Sequence, residues 1–185
     1  MEQETKIIED CISGKRKAQN TLYSLYSGRF YGICLRYAAN RAEAQDILQE
    51  GFIKIFFKID TFSRQGSFEG WMKRIMVNTA LNYIRDHARE RLFTFMNLET
   101  EEIPDEIPDE EYPQPFPAET IISLVQALPE GYRMVFNLYV FEQMTHKQIA
   151  ELLEISENTS KTQLMRARLM LRRQITGFSA KPVEV

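Results

Sequence analysis

Residues 145–173 read THKQIAELLEISENTSKTQLMRARLMLRR, and the fold turns on this stretch. It spells a short helix, a tight turn and a second, basic helix. In the first half, Ile149, Leu152 and Leu153 put apolar side chains on one face at helical spacing. The small Ala150 leaves room for a partner helix to come close. Ile155-Ser156-Glu157-Asn158 breaks the pattern, with Ser156 placed to cap the second helix. From Thr159 to Arg173 the charged residues are Lys161, Arg166, Arg168, Arg172 and Arg173, with no acid among them. Leu164, Ala167, Leu171 and Ile175 supply a stripe to be buried. A helix purely cationic on its wet side suits a phosphate backbone with a major groove beneath it. An ordinary solvated face would also carry arginines, but would interleave them with Glu or Asp. The short turn, the small residue and the unmixed charge predict a helix-turn-helix.

The chain has 185 residues, enough for one or two small domains with modest cores. Its 44% hydrophobic and 26% charged residues are ordinary for a globular protein in water. No apolar run approaches the roughly 20 residues that span a bilayer. The N-terminal MEQETKIIEDCISGKRKAQ starts acidic and lacks an apolar core, so it does not read as a signal peptide. Cys11, Cys34, His87 and His146 are scattered, and a structural zinc needs about four clustered ligands. No metal and no cofactor is expected. Both cysteines read as reduced thiols of a cytoplasmic protein.

The net charge of −3 hides an uneven distribution. Residues 1–91 carry 15 Lys/Arg against 11 Asp/Glu, residues 92–119 none against 9, and residues 120–185 8 against 6. Two mildly basic blocks are therefore joined by a strongly acidic connector. That pattern fits nucleic-acid binding by both blocks better than the overall acidity suggests.

The N-terminal block reads as helical nearly throughout. A first long helix is predicted over Ala18 to Tyr37, with Leu22, Leu25, Tyr26, Phe30, Ile33 and Tyr37 inward and Asn40 ending it. In the next, RAEAQDILQEGFIKIFFKIDTF, the apolar face is Ile47, Leu48, Phe52, Ile55, Phe56 and Ile59. Asp46, Gln49, Glu50 and Lys54 lie opposite. A loop from Asp60 to Ser67 leads to a third helix that Ser67 can cap. Trp71, Ile75, Met76, Ala80 and Ile84 can be buried there, while Lys73, Arg74, Arg85, Arg89 and Arg91 ride outside. Asn78, Asn82 and Tyr83 are placed on the same exposed side. Cations interleaved with amides and a ring suit phosphates and unstacked bases.

The segment LETEEIPDEIPDEEYPQPFPAE is acidic and proline-rich without an apolar face, which predicts an extended tether. Beyond it, Ile121, Ile122, Leu124, Val125 and Leu128 form a short helix stopped by Pro129. GYRMVFNLYVFEQM then buries Val135, Phe136, Leu138 and Tyr139 before the helix-turn-helix. The terminal FSAKPVEV has no pattern. The expectation is an all-α protein of two small helical domains: a helical bundle over 1–91 and a four-helix domain over 120–176. An acidic Pro-rich linker over 92–119 joins them, and a disordered tail occupies 177–185.

Taken together, the chain from about Tyr23 to Leu171 resembles an extracytoplasmic-function (ECF) sigma factor, the minimal two-domain form of the bacterial promoter-recognition subunit. EAQDILQEGFIKIF is similar to the helix by which such factors grip the coiled coil of the polymerase clamp. WMKRIMVNTALNYIR is similar to the segment reading the minus-ten element. LPEGYRMVFNLYVFEQMTHKQIAELLEISENTSKTQLMRARLML is similar to the domain reading the minus-35 element. Three such segments in order around an acidic linker are strongly specific.

The resemblance implies polymerase binding by Asp46, Gln49, Glu50 and Lys54, with Phe52 beside them in the core. It implies minus-ten contacts from Phe62, Ser63 and Arg64 of the loop and from Lys73, Arg74, Asn78, Asn82 and Arg85. Minus-35 contacts fall to Thr159, Lys161, Thr162, Gln163, Arg166 and Arg168. Asn82 stands where the family often has aspartate, Ser160 replaces the more usual valine, and Glu154 the common turn glycine. The implied partners are core RNA polymerase, promoter DNA and a membrane-anchored anti-sigma factor, the free protein being a monomer. No catalytic constellation is present in the sequence, so the chain is not expected to be an enzyme. The alternative is a conventional helix-turn-helix regulator whose N-terminal block senses or dimerises.

Overall fold

The computed structural model describes residues 2–88 and 116–179, which are helix and turn. The chain divides into two units, residues 1–89 and 90–185. The first holds α1 (Glu2–Ile12), α2 (Arg16–Tyr37), α3 (Arg41–Lys58), a 3₁₀ turn (Ile59–Thr61) and α4 (Phe68–Ala88). The second holds α5 (Ala118–Gln126), α6 (Glu130–Phe136), a π turn (Asn137–Phe141), α7 (His146–Leu153) and α8 (Glu157–Ser179).

In the first unit α2, α3 and α4 pack on one another, and α1 lies on α2 and the 3₁₀ turn. The apolar stripes close over Leu22, Phe30, Tyr37, Ile47, Ile55 and Met76, which are fully buried. Gly51 sits where α3 crosses α4, and a Cβ there would meet Sδ of Met76. Asn40, expected to end α2, instead caps α3. Its Oδ1 accepts from the Glu43 amide at 2.9 Å, while Glu43 Oε2 accepts from the Ala39 amide at 3.0 Å. Ser67 caps α4 as its position suggests, accepting from the Gly70 amide at 3.2 Å. The buried phase of α4 differs from the expected one. Phe68, Met72, Val77 and Leu81 are buried with Met76, Ala80 and Ile84, whereas Trp71 and Ile75 are only half-buried. Leu25, expected inward, is exposed.

The second unit is built on α8, against which α5, α6 and α7 pack. Val125, Val135, Leu138, Ile149, Ala150, Leu164 and Ala167 are buried. The long helix expected over 131–144 is instead α6 followed by the π turn. Buried Asn137 at that junction donates from Nδ2 to the Arg133 carbonyl at 2.9 Å. Phe136 and Tyr139 remain half-buried. The residues expected in a linker to 119 and a tail from 177 are helical at Ala118–Glu119 and at 177–179. The rest of both segments lies outside the described residues, apart from Phe116 and Pro117, which precede α5.

Arg133 is a buried cation, 4% exposed. Its Nη1 donates to the carbonyls of Gln126 at 2.8 Å and Leu128 at 3.4 Å, closing the C-terminal end of α5. Arg133→Ala strands those acceptors. We expect it to destabilise the second unit by about 2–4 kcal/mol, read from urea unfolding of the full chain.

Candidate nucleic-acid interface

The helix-turn-helix is held by local hydrogen bonds at each joint. Thr145 and Gln148 form a reciprocal capping box on α7: the Gln148 amide donates to Thr145 Oγ1 at 3.3 Å, and the Thr145 amide to Gln148 Oε1 at 2.9 Å. Ser156 caps α8, accepting from the Thr159 amide at 2.9 Å. Between them Glu154 ends α7 with φ 56 and ψ 40, in the left-handed region. A glycine would hold this conformation without the Cβ penalty. Glu154→Gly is expected to raise the melting temperature of this unit by a few degrees, about 0.5–1 kcal/mol, in calorimetry.

On α8 the buried stripe is Ser160, Leu164 and Ala167, with Leu171 and Ile175 half-buried beside it. Thr159, Lys161 and Arg168 are exposed, and Thr162, Gln163 and Arg166 half-buried. All six sites expected from sequence therefore reach the surface of one helix. Two tyrosines from the preceding elements hold two of its four arginines. Arg166 Nη1 donates to the Tyr132 hydroxyl at 3.2 Å, and the Arg168 guanidinium sits 5.6 Å over the Tyr139 ring. Neither tyrosine was legible as a site residue. Met165, on the outward ridge by helical spacing, was also passed over.

Ser160 is fully buried, and its hydroxyl shares a 2.9 Å hydrogen bond with Nδ1 of His146. The imidazole stacks on Tyr139 at 4.7 Å, so the π turn, α7 and α8 meet in one polar cluster. Burial holds the His146 pKa below its usual 6.5, aided by Lys161 and Arg168 and opposed by Glu157. The folded state thus favours the neutral ring. The associated stability is complete above the unfolded-state pKa and is lost as pH falls below it through the folded value. This unit should melt at lower temperature at pH 5 than at pH 7, and His146→Asn should shrink that difference.

In the first unit, Asp46, Gln49 and Glu50 fall on one side of α3, Asp46 and Gln49 exposed and Glu50 half-buried. Lys54 is half-buried beside them, its Nζ 2.6 Å from Glu50 Oε1. The same face carries two residues that sequence reasoning missed. Ile53 is 67% exposed and Phe57 87% exposed, at spacings i+7 and i+11 from Asp46. Phe52 lies in the core on the other side, 5.9 Å from the Phe30 ring.

The loop before α4 is anchored by Phe62, half-buried against Phe68 at 5.1 Å and Trp71 at 5.6 Å. Ser63 and Arg64 are exposed. Arg64 takes φ 59 and pairs with Glu9 of α1, Nη2 to Oε1 at 3.0 Å. Along α4, Arg74, Asn78, Asn82 and Arg85 share one exposed side, next to half-buried Trp71 and Ile75. Arg85 donates to Asn82 Oδ1 at 3.2 Å. Lys73 is about 100° around the helix from Arg74 and does not join that row. Tyr83 does not join it either: it stacks on His87 at 4.1 Å on the opposite side. Arg89 and Arg91 lie outside the described residues.

These features define a two-unit helical protein whose second unit carries a helix-turn-helix with a cationic second helix. Residues 22–90 match the family described as sigma-70 region 2, and residues 118–171 match sigma-70, region 4. The chain is 28% identical over 177 residues to the ECF RNA polymerase sigma-E factor of Haemophilus influenzae, covering 91% of this chain and 93% of that protein. It is also 28% identical over 181 residues to the ECF RNA polymerase sigma factor SigW of Bacillus subtilis, covering 92% and 95%. Among solved structures, the sigma factor RpoE of Bartonella quintana, in complex with the anti-sigma factor NepR, gives a TM-score of 0.51. That likeness, at 17% identity over 85% of this chain and 96% of that one, is one of fold. The protein belongs to the ECF class of the sigma-70 family.

Proposed function

We propose that this protein joins core RNA polymerase, recognises minus-35 and minus-ten promoter elements and directs transcription initiation. The observation that carries this reading is the pairing, in one chain, of a region 2 match over 22–90 with a region 4 match over 118–171. Residues 1–91 bind polymerase and the minus-ten element, residues 120–176 bind the minus-35 element, and residues 92–119 link them. Asp46, Gln49, Glu50 and Lys54, joined by Ile53 and Phe57, form the polymerase-facing side of α3. Ser63, Arg64, Arg74, Asn78, Asn82 and Arg85 face the minus-ten strand, with Phe62 anchoring their loop. Thr159, Lys161, Thr162, Gln163, Arg166 and Arg168 face the minus-35 groove. The chain acts by binding rather than chemistry, works in the cytoplasm as a monomer when free, and is restrained by a membrane-anchored anti-sigma factor.

Purified core polymerase, with and without this protein, on a pool of random promoter fragments tests the proposal. Transcripts that appear only with the protein, all downstream of a shared pair of motifs, are the expected result. No transcription, together with tight binding of the protein alone to duplex DNA, would replace it with a conventional regulator.

A further inference from the structure

We infer that Tyr132 is a positioning residue for Arg166, and that the two side chains together grip one backbone phosphate beside the minus-35 groove. The inference rests on the reading of α8 as the minus-35 helix and adds to it a residue from α6. Between α6 and α8 lies a cleft of about 370 Å³. Its polar walls are Tyr132, Asn158, Thr159, Thr162, Gln163 and Arg166. Each of these side chains can donate a hydrogen bond, and among the described residues no carboxylate lines the cleft. Such a site matches an anion rich in acceptors.

The Arg166–Tyr132 hydrogen bond has a fixed end and a held end. Tyr132 is 8% exposed, and its ring belongs to a core cluster with Leu128 and Ala167, against which Phe136, Met170 and Leu171 pack. The guanidinium of Arg166 comes to that hydroxyl from 34 residues away and donates to it at 3.2 Å. The phenol accepts through a lone pair and keeps its own proton to donate, while Arg166 retains four further N–H groups. Two donors of fixed spacing therefore open on the cleft. A guanidinium held against the body of the domain reaches the cleft rather than a base edge, and it suits a phosphate, which positions without specifying sequence.

The test uses the full chain with core polymerase and a promoter duplex taken from the transcription selection. Tyr132→Phe removes the hydroxyl and keeps the ring. Affinity should fall about five-fold with the melting temperature unchanged. In an Arg166→Ala background the same change should cost clearly less, because only the hydroxyl's own contact with the phosphate is then left to lose. A scan of single neutral methylphosphonates along the minus-35 strands adds a readout that a merely structural role would not move. One position should weaken the wild type about ten-fold, and Tyr132→Phe and Arg166→Ala clearly less. Wild-type affinity for Tyr132→Phe, with Arg166→Ala weakened, overturns the positioning role and leaves the minus-35 reading standing. Wild-type affinity for Arg166→Ala overturns both.

Discussion

Alanine at both Arg166 and Arg168 should weaken promoter binding by about two to three orders of magnitude while leaving the second unit folded. Each charged contact to DNA contributes about 1–3 kcal/mol, and a loss of about 1.4 kcal/mol is tenfold. The core of α8 is carried by Ser160, Leu164 and Ala167, none of which changes. Arg168 lies over Tyr139, whose other contact, the stack on His146, survives the substitution. Anisotropy titrations at several salt concentrations should show the slope of log affinity against log salt shrinking by about two. Unchanged affinity would remove DNA from the account and leave α8 as a protein-docking helix.

The second large effect belongs to α3. Phe57→Ser should weaken binding to core polymerase by about thirty-fold or more, since a large exposed aromatic is the usual anchor of a protein interface. Stability should hold, because Phe57 is 87% exposed in the free protein. Reversing charge at Asp46 and Glu50 should cost less. Glu50 is already engaged by Lys54 at 2.6 Å, and such pairs are screened by salt. Raising the salt should therefore erase much of the reversal's effect and leave the Phe57→Ser loss nearly intact. Equal sensitivity to salt would show that apolar contact does not lead here.

What the sequence disclosed depends on how far apart the interacting groups lie. Caps were legible because Ser67 and Ser156 act on amides three residues away. The apolar face of α3 and the burial of Ala150 were legible because they depend on helical period and size. Arg133 was not, since a buried cation and a surface cation are the same letter and its acceptors lie in another helix. Tyr132 was missed for the same reason, its partner being 34 residues along. The π turn left no mark in the apolar pattern, which runs on through Asn137. In α4 both Trp71 and Met72 are apolar, so the helical phase could be drawn either way: Arg74, Asn78, Asn82 and Arg85 share an exposed side as expected, whereas Lys73 and Tyr83 do not join them. Two departures from the family pattern proved structural. Ser160 meets His146 in the core, and Glu154 occupies a left-handed position.

The stacking of Arg168 on Tyr139 bears on how strictly this protein tells one DNA from another. A mobile arginine gives up as much as about 2 kcal/mol of rotamer entropy when it settles on a ligand. One already narrowed by an aromatic plane has surrendered part of that freedom during folding. In the proposed minus-35 role it would arrive at the groove with fewer alternative poses, so a displaced acceptor in a mismatched site would be harder to chase. Rigidity of this kind favours discrimination over tolerance, and loosening it by Tyr139→Leu should broaden the range of sequences bound.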